Sequence, residues 1–136
     1  MMFFNKQKTY FKKKLQGVQN MIWDLEFKRA KTQMIREEIR QDYDQLKSKL
    51  YVLEGDIKKQ AETPTMEKGE IARLDDQKVL LDRDIKRREE QMKDLDLEVM
   101  GSKATNEYPE GVQGVNQQID ALHELKSMLK EYIATL

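Results

Sequence analysis

Apolar residues recur along most of this chain in alternating steps of four and three. Phe11, Leu15, Val18, Ile22 and Leu25 keep that rhythm, as do Ile39, Tyr43, Leu46, Leu50, Leu53 and Ile57. Counting on from Leu25 passes Arg29, Thr32 and Arg36 and lands on Ile39, so both runs share one register. A repeat of about 3.5 residues places such side chains on one strip of an α-helix, the seam of a coiled coil. The pattern predicts one long helix within residues 1–62, regular from about residue 5 onward.

Thr63-Pro64-Thr65 interrupts it. Proline lacks an amide donor and disfavours helix at the residue before it, yet suits the first turn of a new helix. Thr63 is accordingly placed to cap a second helix, giving an element over 63–101. There Ile71, Leu74, Leu81, Ile85, Met92, Leu95 and Val99 keep the heptad, with Lys78 and Arg88 at seam positions and Gly101 as the stop. Residues 102–111, SKATNEYPEG, are turn-forming and read as a linker. A third helix is predicted over 112–136. Its apolar residues, from Val112 and Val115 through Leu125, Met128 and Tyr132 to Leu136, cover an arc wider than one neighbour requires.

A short break makes the first two helices antiparallel neighbours. The expected fold is therefore all-α, a long antiparallel helical hairpin (coiled coil) plus a third, C-terminal helix, extended or as a three-helix bundle. The chain is read as a single elongated helical unit over 1–136. Zipping from the turn sets residue 100 beside about residue 28 and leaves the start of the first helix without a partner. The third helix either covers that projection or folds back as the third member of a bundle.

A second stripe lies nearly opposite the seam. Trp23, Phe27, Ala30 and Met34 also step by four, three and four, where the seam itself turns polar at Arg29, Thr32 and Arg36. Large aromatic residues on a solvated helical face mark contact. Either the third helix covers the stripe, or a protein subunit, self or other, does, or the exposure is stray.

Charge changes the picture at one end. The chain carries 25 basic and 25 acidic residues, yet residues 1–20 hold five lysines and no acid. Lys6, Lys8, Lys12, Lys13 and Lys14 alternate there with Phe3, Phe4, Tyr10 and Phe11. A basic amphipathic helix of this kind suits an anionic membrane surface or nucleic acid. Equally, Phe11, Leu15 and Val18 continue the downstream seam, which makes the segment the opening of the coiled coil with lysines draped over apolar neighbours.

Catalytic chemistry finds no foothold in the sequence. Cysteine is absent, so neither disulfides nor thiolate metal sites are expected. His123 is the only histidine and has no partner at metal-ligand spacing. The glycines at 111 and 114 match no phosphate-cradling loop. No apolar run is long enough for a membrane span, and no secretory signal is evident. These features lead one to expect a non-catalytic coiled-coil structural or assembly protein, a spacer, scaffold, stalk or adaptor. It would be intracellular or held within a macromolecular assembly, with no cofactor, metal or small-molecule substrate. The alternative is a peripheral membrane- or nucleic-acid-binding protein acting through its basic aromatic arm. In architecture alone the pattern resembles helical scaffolding or virion-associated proteins of phages and the small coiled-coil stalk proteins of flagellar and type III export machines. No family motif accompanies that likeness.

Overall fold

Residues 2–62 contain no proline and only two glycines, so nothing in the local chemistry interrupts a helix until Pro64. In the computed structural model, which describes residues 2–65 and 67–136 and the side chains from residue 6 onward, α1 spans Met2–Glu62 without a break. α2 follows over Lys68–Met100 and α3 over Val115–Ala134. Among the described residues there is no strand, only an isolated antiparallel bridge between Ser102 and Val112. The fold is all-α, a helical hairpin with a third helix beside it.

The chain divides into two compact units. The first comprises Met1–Gln33 with Leu95–Leu136, and the second Met34–Asp94.

In the second unit, α1 and α2 run antiparallel with the heptad residues facing inward. Leu53 and Ile85 are buried, and Ile39, Tyr43, Leu46, Leu50 and Ile57 are half-buried opposite Ile71, Leu74, Leu81 and Met92. Three cross-helix contacts set the register. The Tyr43 hydroxyl donates to Glu89, Arg88 Nε lies 3.8 Å from Asp42, and Lys78 Nζ lies 3.9 Å from Glu54. The basic residues at seam positions thus lay their stems along the core and turn their heads to a carboxylate at its edge. Arg88 reaches Asp42 across the hairpin and Gln91 on its own helix, because its seam position faces the neighbouring helix. On the solvent side Arg40 forms a two-pronged pair with Glu37, which holds that carboxyl below its ordinary range.

Thr63 does not cap α2. Its N–H donates to Lys59 O at 2.8 Å and so ends α1, while Gln60 bonds both the amide and the hydroxyl of Thr65. That clasp closes the proline turn outside either helix. The new helix therefore opens later, with the Ile71 amide on Glu67 O.

In the first unit, α3 lies antiparallel on the early part of the α1 seam. Ile22 is 1% exposed, Val115 2% and Ile119 4%, and Val18 and Val99 are buried beside them. Burying one such side chain contributes about 1.5–3 kcal/mol. The end of α2 reaches the same stretch, where Lys28 Nζ is 3.1 Å from Glu98. This is the height at which the sequence sets residue 100. α3 therefore covers the projection of the first helix, one of the two arrangements left open above.

The junction between α2 and α3 explains why the third helix starts at Val115 rather than 112. Gly101 ends α2 with φ +80°, and residues 102–113 leave and return as a closed loop. The Ser102 amide donates to Val112 O, and the Val112 amide to Ser102 Oγ. Val112 is thereby held in the loop. Gly114 comes back so close that a Cβ on it would sit 2.3 Å from Gly101 N and 2.5 Å from Val99 O. α3 thus begins beside the place where α2 ends.

Two glycine substitutions separate these roles. Gly55 lies inside α1 with open space around it, so Gly55→Ala should raise stability by about 0.5–1 kcal/mol. Gly114→Ala should lower it by on the order of 2 kcal/mol, because backbone must move. Denaturant titrations followed by circular dichroism read both. Equal, small effects would contradict the junction.

Candidate protein-interaction surfaces

α3 seals the α1 seam with polar contacts along one flank. Arg29 donates to Asn116 Oδ1 at 3.1 Å, Lys126 donates to Gln19, and His123 Nε2 lies 3.9 Å from Glu26. Arg29 and Lys126, polar residues at heptad positions, are thus half-buried against these partners, while Thr32 is buried at 6% exposure. His123 is an exposed member of this flank, facing a glutamate.

This placement turns the second stripe outward. Trp23 is 56% exposed and Phe27 72%, with Ala30 also exposed. Met34, which opens the second unit, is 67% exposed in its own right. α3 leaves Trp23, Phe27 and Ala30 uncovered because the larger apolar gain lies on the seam around Ile22, on the other side of the helix.

The basic arm is divided in its allegiance. The Phe3 and Phe4 side chains lie outside the described residues. Phe11 is half-buried against Tyr132, ring centroids 4.8 Å apart at 77°, so it belongs to the α1–α3 packing. Tyr10 meets Phe11 edge-on and is roofed by the Lys14 ammonium 5.5 Å from its ring. Lys6, Lys8, Lys12, Lys13 and Lys14 are all exposed.

Sequence reasoning missed the flank opposite the polar one. There Tyr10 and Met21 of α1 stand exposed beside Leu125, Met128 and Tyr132 of α3. Gly17 sits among them, with nothing within 4 Å of where its Cβ would be. The width of the α3 arc was a signal for this flank, but a glycine inside a heptad run carries no sign of what its gap receives.

The second unit has an apolar groove of its own. Val52, Leu53, Leu80 and Leu81 form its floor, with Lys49, Asp56 and Gln77 at the rim. It is a shallow trough along the two helices. Among the described residues no cluster of three or more metal-ligating side chains occurs, and no helix is long and apolar enough to cross a membrane.

No known protein family, characterised protein or solved structure matches the chain. The surfaces themselves offer apolar area, aromatic edges and fixed charge.

Trp23 is the only tryptophan and reports directly on the stripe. In dilute solution it should emit as a solvated indole and be quenched readily by acrylamide. Emission typical of a buried indole from the dilute chain would place the stripe inside.

Proposed function

We propose that this chain is a non-catalytic assembly protein, a helical spacer or adaptor that joins protein subunits through apolar faces its own helices leave open. The observation that carries the reading is the exposure of Trp23 and Phe27 on a helix whose seam faces other partners. Aromatic side chains of this size are the usual anchors of protein interfaces, since each offers a large rigid contact area. Lys31 borders the stripe and supplies part of the polar rim that such a contact uses.

Crosslinking with mass spectrometry on native material tests this. Lys31 should link to another subunit, and Trp23→Ala with Phe27→Ala should abolish those links. The pair should also lower the assembly mass in light scattering while helix content stays unchanged. An assembly that survives the pair intact refutes the assignment of this surface.

The runner-up is binding to an anionic membrane or nucleic acid, and it draws on the exposed lysines of the arm. It loses part of its support where Phe11 is spent on Tyr132. Lys8→Gln with Lys12→Gln removes charge there without touching that contact. Salt-sensitive retention on anionic vesicles or DNA that disappears in this variant would favour the runner-up.

A further inference from the structure

Within the first unit the two flanks of the α1–α3 pair differ in kind. One is tied by the Arg29–Asn116, Glu26–His123 and Gln19–Lys126 contacts. The other is apolar and open, with Met21 54% and Met128 65% exposed beside Tyr10, Leu125 and Tyr132.

The rims of the open flank carry opposite charge on its two helices. Along α1 the charged residues from 6 to 21 are lysines only, with Lys13 and Lys14 next to the gap at Gly17. Along this side of α3 they are Glu124 and Glu131, the latter beside Met128 and Tyr132. The gap at Gly17 forms the floor of a groove walled by Tyr10, Val18 and Met21. Interpolating between Gln19–Lys126 and Phe11–Tyr132 sets Met128 at the height of Gly17, yet the chain's own Met128 does not enter the gap.

We infer that this flank is a self-complementary interface and that its occupant is a second copy of the chain. A twofold axis parallel to the helices sets α1 of one copy over α3 of the other at unchanged height. Met128 of each then fills the gap over Gly17 of its partner, and Lys14 meets Glu131 across the rim. The other face-to-face twofold, perpendicular to the helices, stacks α1 on α1 and opposes lysine with lysine. Charge selects between them, and a flexible methionine suits an uneven gap over a glycine. This inference deepens the assembly reading by naming a partner, and it uses a face other than the Trp23 stripe.

Sedimentation equilibrium of the full chain tests it. The wild type should dimerise. Met128→Lys should weaken dimerisation by at least about tenfold, as expected for a charge placed at an interface centre, with helix content unchanged. Lys13→Glu with Lys14→Glu in one chain, and Glu124→Lys with Glu131→Lys in another, should each give monomers alone and a heterodimer when mixed. A wild-type monomer at all concentrations overturns the inference, as does a dimer indifferent to Met128→Lys. A monomer that binds anionic vesicles through the same lysines overturns it in favour of a lipid surface. Trp23→Ala with Phe27→Ala should leave this dimer intact. If that pair alone dissolves it, the flank is wrong and the stripe stands.

Discussion

The α1 seam is the constraint on which each unit depends. A helix with side chains repeating every 3.5 residues has one strip to bury, and two successive partners compete for nothing because each takes its own stretch. In the second unit the partner is α2 around Leu53 and Ile85. In the first it is α3, with the end of α2, around Ile22, Val115 and Ile119. Once that strip is spent, any remaining apolar residue on α1 must face outward. The exposure of Trp23 and Phe27 is thus a consequence of packing rather than a defect in it.

The loop between α2 and α3 makes the handover work. A helix ending at Met100 and another starting at Val115 are brought together because Gly101 takes a left-handed conformation and Gly114 lets backbone approach backbone. The intervening residues are tied at their base by the Ser102–Val112 pairing and carry Tyr108 outward at 51% exposure. The same hydrogen bonds that close the loop fix where α3 begins, and therefore which of its side chains point at the seam.

Much of this was legible in the chain itself. The heptad register through Arg29, Thr32 and Arg36 is the inward face observed, and the zipping argument set residue 100 near 28, where Lys28 meets Glu98. Local patterns carry such facts because helix periodicity and antiparallel pairing need no knowledge of distant contacts. The choices that depended on tertiary closure were hidden. Thr63 looks like a cap in sequence but serves the helix before it, since Gln60 reaches Thr65 only in the folded turn. Whether α3 would cover the stripe or the seam turned on a competition between two apolar faces of one helix, and periodicity alone does not rank them. The gap at Gly17 lies at the height of Met128 only through the packing of α3 on α1, which no local pattern encodes.

The account stands on α3 seated against the α1 seam with the Trp23 stripe left outside. A native chain without cysteine allows a clean distance test. Cysteines introduced at Gln19 and Lys126 should be joined within one chain by a short bis-maleimide, whereas cysteines at Asn20 and Lys126, at the same height but about 100° further round α1 and turned away from α3, should not. Efficient linkage of the second pair, with none in the first, would mean that the third helix lies on the other side of α1.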